Sequence, residues 1–232
     1  MTELQQADAS WYEVDPAFYA HGGVCFNPHE MDAIGDVEGA AVLVAPPGNG
    51  EEALSFANLG ANVTVLSDRE SAQQCRALVE AAEGGITFVE GDGGDASSLP
   101  GASFDIVYAP WGTLDWLDAF DGWAEGVAHA LKPGGRLVIY DRHPVSSVAG
   151  THKGLFLVAH SYFGSDDEEQ VSWTLGEVIG ALGSVGLATM LLEEAPDSDR
   201  FVTPLDRMGT VRWDVRWRLP AAMVLVAVKV TD

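Results

Sequence analysis

Apolar residues arrive in short runs separated by stretches of helical period. Ala41 to Ala45 is a continuous apolar run, the pattern of a strand buried on both faces. Pro46-Pro47-Gly48-Asn49-Gly50 follows, then helical spacing from about Glu51 to Leu59, with Gly60 placed to end the helix. The alternation repeats as strand Asn62 to Leu66, helix Arg69 to Ala82, strand Ile86 to Val89 after the Gly84-Gly85 stop, and strand Phe104 to Ala109. A helix from Leu114 to Leu131 and strand Arg136 to Tyr140 complete it. Strands alternating with helices predict an α/β fold with right-handed crossovers, a doubly wound parallel sheet and a ligand at the carboxyl ends of its strands.

The flanks are less regular. Residues 1–38 carry Trp11, Tyr12, Phe18, Tyr19 and Phe26 broken by Pro16, Gly22, Gly23 and Pro28, which predicts an N-terminal cap of short helices and loops. Regularity lapses again after Pro144 and returns with a helix Thr174 to Val185 and a strand Ala188 to Glu193. Val211 to Leu219 alternates apolar and polar strictly, as a half-exposed strand does, with Met223 to Val230 as its antiparallel partner. Arg207, Arg212, Arg216 and Arg218 fall in this stretch, where charge protects an edge strand. The organisation expected is one domain over 1–232: cap 1–38, ligand-binding core 39–145, insert 146–172, and C-terminal helix and strands 173–232.

Charge narrows the partners. A formal net charge of -23, with Lys132, Lys153 and Lys229 as the lysines, repels a phosphate backbone and an anionic membrane, so nucleic acid and lipid surfaces are excluded and a neutral or cationic small molecule fits. No apolar run reaches membrane-spanning length, and Met1 to Gln6 lacks a basic-apolar leader. Cys25 and Cys75 are too few for a disulfide framework, so a reduced cytoplasmic protein is expected, with homo-oligomerisation left open. His21, Cys25 and His29 are spaced by four, yet Gly22, Gly23 and Pro28 prevent the helix that would align them, and no metal is expected.

Two turns carry a family likeness. In Leu131-Lys132-Pro133-Gly134-Gly135, proline ends a helix and the glycines supply a C-cap and a tight turn into an apolar strand. Together with the glycine turn at 46–50, it resembles the class I S-adenosylmethionine-dependent methyltransferases. The resemblance implies a Rossmann-like seven-stranded sheet, mostly parallel with an antiparallel C-terminal strand. It also implies S-adenosylmethionine as cofactor and methyl transfer to O or N of a small-molecule metabolite. One alternative is a protein that keeps this fold and cofactor but has lost transfer, in a cyclase-like or binding role. Another is an NAD-dependent oxidoreductase, because Gly48-x-Gly50-x-x-Ala53 also satisfies the dinucleotide fingerprint; no Tyr-x-x-x-Lys pair accompanies it.

Site residues follow from the resemblance. Ala45, Gly48, Asn49 and Gly50 would take the methionine half of the cofactor, although Val44 stands where most members carry an acid and Pro46 and Pro47 remove two N–H donors. Asp68, helped by Ser67, would accept from the ribose hydroxyls, or Asp68 caps the next helix. Asp92 and Gly93 would meet the adenine, with Asp95 as the alternative, and Ala109 would line the cofactor. Substrate-facing candidates are Tyr12, Tyr19, Trp111 and Tyr162. His143, in Asp141-Arg142-His143-Pro144 after the fifth strand, is the candidate general base, or holds a loop.

Overall fold

The computed structural model describes residues 14–152, 155–158, 160–163, 173–196 and 219–231. Two short helices, α1 (Pro16–Ala20) and α2 (Pro28–Ile34), precede the sheet. Each starts on proline behind a side-chain cap: Asp15 accepts from Ala17 N, and Asn27 and Glu30 close a reciprocal capping box. The expected cap is thus two helices, tied down by hydrogen bonds to the core. Tyr108 Oη donates to Glu30 Oε1 at 2.6 Å, and Asn58 Nδ2 donates to the carbonyls of Tyr19 and Gly23 at 2.9 and 2.8 Å.

The core alternates as the apolar pattern predicts: β1 (Ala41–Val44), α3 (Glu51–Asn58), β2 (Asn62–Ser67), α4 (Gln73–Ala81), β3 (Thr87–Glu90) and β4 (Phe104–Ala109). After β4 come α5 (Thr113–Trp116), α6 (Phe120–Ala130) and β5 (Leu131–Arg142). A hairpin of β6 (Ala149–His152) and β7 (Leu155–Val158) lies in the expected insert, followed by α7 (Leu175–Ser184), β8 (Leu187–Ala195) and β9 (Ala222–Lys229). The main sheet has seven strands in the order β3-β2-β1-β4-β5-β9-β8, and β9 runs antiparallel to both of its neighbours. This is the mostly parallel, doubly wound α/β sheet that was expected.

Differences from the sequence expectation have local causes. The helix expected from Arg69 starts at Gln73, because Asp68 accepts from the N–H groups of Glu70 and Ser71 and ties residues 69–72 into a turn. The single helix expected over 114–131 is two, parted at Leu117, whose carbonyl accepts from Trp173 Nε1 at 3.1 Å. The strand β8 pairs with β9, so the terminal strand inserts between β5 and β8; the strand expected at Val211 to Leu219 falls, but for Leu219, outside the described residues, as do the arginines at 207, 212, 216 and 218.

The Pro-Gly-Gly turn shows why glycine stands there. A Cβ on Gly135 would lie 2.9 to 3.1 Å from the carbonyl oxygens of Lys132, Phe104 and Asp105. Lys132 Nζ grips both carboxylate oxygens of Asp105, at 2.9 and 2.8 Å, and this ion pair holds Asp105 below the usual carboxylate range. Asp105 also accepts from Ala41 N at 2.9 Å, so one carboxylate pins β1, β4 and the turn into β5. Two apolar layers sandwich the sheet, one under α6 and α7 around Trp123 and Leu182, the other under α1 to α4 around Phe56 and Tyr108.

Candidate functional site

The carboxyl ends of β1 to β4 converge, and what they present is largely backbone. The β1 strand runs into Ala45-Pro46, a cis peptide bond, and the turn closes through Gly48 at φ 55° and Gly50 at φ 102°. Gly48 packs on Pro110, the residue after β4: a Cβ there would lie 3.3 Å from Pro110 Cγ. A Cβ on Gly50 would lie 3.1 Å from Cys75 Cα, so this glycine lets the start of α3 approach α4. Ala45 and Ala109 are fully buried where β1 and β4 end.

Two carboxylates fill the turn. Glu51 and Glu52 open α3 and are both buried, in the first turn where the helix dipole favours negative charge. Glu51 receives a hydrogen bond from Tyr19 Oη and another from Asn49 Nδ2 at 2.6 Å, while Glu51 N donates back to Asn49 Oδ1 at 3.1 Å. Tyr19 of the cap is thereby brought to the turn. The Asn49 contact also means that the helix start is not a bare set of N–H groups but an acid-lined one. Glu52 Oε2 would lie 3.3 Å from a Cβ on Gly48. Sequence reasoning passed over Glu51 and Glu52 because acidic residues at a helix start are ordinary, and only their burial marks them.

Across from this turn, Ser67 ends β2. Its hydroxyl is buried and has no hydrogen-bond partner among the described residues. Asp68 is exposed, and its carboxylate accepts from Glu70 N, Ser71 N and Ser71 Oγ at 2.8, 2.9 and 2.6 Å; the Ser71 hydrogen bonds lower its pKa. Asp68 therefore caps the following turn, and a carboxylate oxygen retains lone pairs for a further donor. After β3, Asp92 accepts from Gly94 N at 2.8 Å and Asp95 from Ser97 N at 2.9 Å. Gly93 between them is buried: a Cβ there would lie 3.2 Å from the Leu66 carbonyl and 3.6 Å from both Pro46 Cα and Trp116 Cη2. Gly93, Leu66, Pro46 and Trp116 thus pack together where β1, β2 and β3 end.

The β5 end is built differently. Asp141 is buried and accepts from Gly112 N and Leu114 N, both at 2.8 Å, and from Arg142 N at 2.7 Å, which hooks the loop after β4 onto β5. Burial pushes its carboxyl up to about 7 against those donors. Arg142 pairs with Asp115 at the same loop. His143 is also buried: its Nδ1 accepts from Val145 N at 3.1 Å, and its Nε2 lies 2.9 Å from a Glu194 carboxylate oxygen, off the ideal N–H direction. With Nδ1 accepting, Nε2 carries the proton. Burial lowers the His143 pKa, and Glu194 opposes this.

Among the aromatic candidates, Trp111 lies 5.4 Å from Tyr140, ring to ring, on the cap side of the sheet. Tyr162 accepts from Leu175 N at 3.0 Å and so serves the start of α7. Tyr12 lies outside the described residues. His21, Cys25 and His29 do not converge: His21 Nδ1 meets the Ala17 carbonyl, Cys25 meets Ser55 Oγ, and His29 pairs with Glu193. No group of three or more His, Cys, Asp or Glu able to hold a metal occurs among the described residues.

Residues 44–139 match the family model of the methyltransferase domain. That stretch of the chain is similar to methyltransferase domains. Solved structures share its fold. An S-adenosylmethionine-dependent methyltransferase from Mesorhizobium loti superposes with a TM-score of 0.65 at 21% identity, over 87% of this chain and 96% of that one. A second, from Aquifex aeolicus, gives 0.57 at 13% identity over 94% and 100%. The [4+2]-cyclase SpnF gives 0.60 at 15% identity over 94% and 92%. No curated protein sequence matches the chain.

Two features where the core strands end are suited to a bound ligand. The unpartnered Ser67 hydroxyl stands where β2 ends, and Gly93 leaves bare backbone opposite Pro46. No helix among the described residues is long and apolar enough to cross a membrane.

Proposed function

We propose that the protein transfers a methyl group from S-adenosylmethionine to O or N of a small-molecule metabolite. The observation that carries this reading is the buried Ser67 hydroxyl without a partner, because an orphaned buried donor costs about 1 to 3 kcal/mol unless a ligand satisfies it. Ser67 and Asp68 would take the ribose hydroxyls, Asp92 and Gly93 the adenine. Ala45, Gly48, Asn49 and Gly50 would face the methionine half, with the carboxylates of Glu51 and Glu52 meeting its ammonium group, and Ala109 would close the floor. When bound, the cofactor supplies a methyl on a sulfonium, a leaving group already activated, so the protein's part is alignment more than acid-base chemistry.

The chain's own residues provide that alignment. Asp141 fixes the loop that carries Trp111, Tyr19 ties the cap to the donor turn, and Trp111 with Tyr140 forms an aromatic wall for the acceptor. Both ring nitrogens of His143 face structural partners, so we assign it a positioning role: it joins β5, the turn at 144–148 and β8, and a base role would require its ring to leave Val145. Tyr12 and Tyr162 remain acceptor candidates from the cap and insert. One domain over 1–232 in a reduced cytoplasmic setting, with no disulfide between Cys25 and Cys75, completes the reading.

Calorimetric titration with S-adenosylmethionine and with its demethylated product tests it. Micromolar binding of both is expected, and silence toward both overturns it. Pro46 and Pro47 favour a second reading, retention of cofactor without transfer, since they withhold two backbone donors from the turn; tight binding with no methylated product from any acceptor screened would select it. His143→Gln separates positioning from base catalysis. Positioning predicts a lowered rate with an unchanged pH profile, whereas loss of one limb of the profile means that His143 is the base.

A further inference from the structure

Beside the donor turn, a cleft of about 70 Å³ opens between the cap and the antiparallel end of the sheet, walled by Asn27, His29, Tyr140, Glu193, Pro196 and Val224. Three of these residues are register partners. Tyr140 pairs with Val224 and Val224 with Glu193, so β5, β9 and β8 present them in one row on one face. The cleft adjoins the donor crevice through a short covalent and packed path: Gly48 packs on Pro110, Trp111 follows, and its ring meets Tyr140. Its volume admits roughly five water-sized atoms, enough for the head of a small metabolite.

The chemistry of the wall is lopsided. Glu193 is its acidic side chain, and facing it is His29, whose Nδ1 lies 2.7 Å from Glu193 Oε1. Their side chains are 42% and 50% exposed, so the carboxylate stays within reach of a ligand. A carboxylate or phosphate entering here would meet like charge. An ammonium would meet the carboxylate, and the ring of Tyr140 would add its attraction for a cation. The whole chain, at a net charge of -23, raises the local concentration of cations and lowers that of anions.

The geometry points to an organic ammonium as the group this cleft takes, its cationic head against Glu193 and its apolar part on Val224 and Tyr140. The inference rests on the proposed methyl transfer, whose acceptor class it names: small molecules held at Glu193 by an ammonium head, with the methyl going to another O or N of the same molecule, and not carboxylic acids. Glu193 is then a specificity-determining residue.

Three probes with one carbon skeleton test it: isobutylamine, isobutanol and isobutyrate, each titrated at pH 7 into the full chain. Binding is read from the imidazole C2–H resonance of His29, assigned with His29→Gln. At pH 7 the amine is protonated, since an alkyl ammonium titrates near about 10. The expected result is a saturable shift with isobutylamine at a concentration at least tenfold below any shift with the other two, and loss of that preference in Glu193→Gln. Isobutyrate binding as well as isobutylamine, an unchanged preference in Glu193→Gln, or no saturable shift with any probe overturns the inference. The titration needs no S-adenosylmethionine, so its failure and a failure of the cofactor calorimetry are read separately.

Discussion

The two ends of the sheet present different kinds of surface. Where β1, β2 and β3 end, the crevice is made by backbone and small groups: Gly48, Gly50, Gly93 and the Ser67 hydroxyl. Where β5 and β8 end and β9 begins, it is made by partnered side chains: Glu193 with His29, Glu194 with His143, and Asp141 with the loop amides. Backbone surfaces suit a ligand whose shape is fixed across a family, because few side chains can drift there without blocking it. Side-chain surfaces can be rebuilt one residue at a time, and they are where one acceptor is chosen over another. In this molecule the first kind of surface is proposed to hold the donor, and the second to select the acceptor.

If backbone proximity sets the turn geometry of the core, adding one methyl group should be most damaging where carbonyls crowd closest. Gly135→Ala places a Cβ against three carbonyl oxygens at 2.9 to 3.1 Å and is expected to cost about 3 kcal/mol in a urea melt. Its neighbour is the control. Gly134 has φ 75° but open space around its Cβ position, so Gly134→Ala should cost only about 1 to 2 kcal/mol, the ordinary left-handed penalty. Equal costs would mean that backbone conformation, and not crowding, placed the glycines.

The other end should respond to pH. Burial raises the Asp141 carboxyl from 3.8 to about 7, so this group favours folding fully below pH 3.8, and its contribution is lost as pH rises through 7. Between pH 5 and pH 8 the wild type should lose about 2 to 3 kcal/mol through this residue, since each pH unit climbed toward 7 removes about 1.4 kcal/mol. Asp141→Asn removes the titration, so its stability relative to the wild type should rise by about 2 to 3 kcal/mol between pH 5 and pH 8. Parallel stability curves for the two proteins would show that the three N–H donors keep Asp141 ionised throughout.

Legibility in sequence follows the same division. The strand-turn-helix alternation and the Pro-Gly-Gly turn were visible because each depends on residues a few positions apart. Helix boundaries slipped where a tertiary partner intervened, as when Trp173 took the Leu117 carbonyl and split a helix. The β9 insertion beside β5 was legible only as a family expectation. Glu51, Glu52 and Asp141 carried no signal at all, since burial and register place them and neither is written locally. The cleft at Glu193 likewise emerges only when three strands from distant parts of the chain are brought into register.

At the donor end the effects should fall on cofactor affinity. Asp92→Ala is expected to weaken S-adenosylmethionine by at least tenfold, within the roughly 1.5 to 3 kcal/mol of a hydrogen bond to a charged group, and unchanged affinity would remove Asp92 from the adenine site.

Ser67→Ala is the smallest and sharpest change. In the free protein the Ser67 hydroxyl is buried without a partner among the described residues, so deleting it removes a desolvation cost and no hydrogen bond. Thermal stability without cofactor should therefore hold or rise by up to about 1 kcal/mol. In the complex the same hydroxyl is proposed to meet the ribose, and the variant should bind about fivefold more weakly, the equivalent of one neutral hydrogen bond at about 1 kcal/mol. Opposite signs in the two measurements are what a polar group held ready for a ligand produces. A variant that loses stability while binding as before would show instead that Ser67 serves the fold, and the donor crevice would then have no hydroxyl waiting for a ribose.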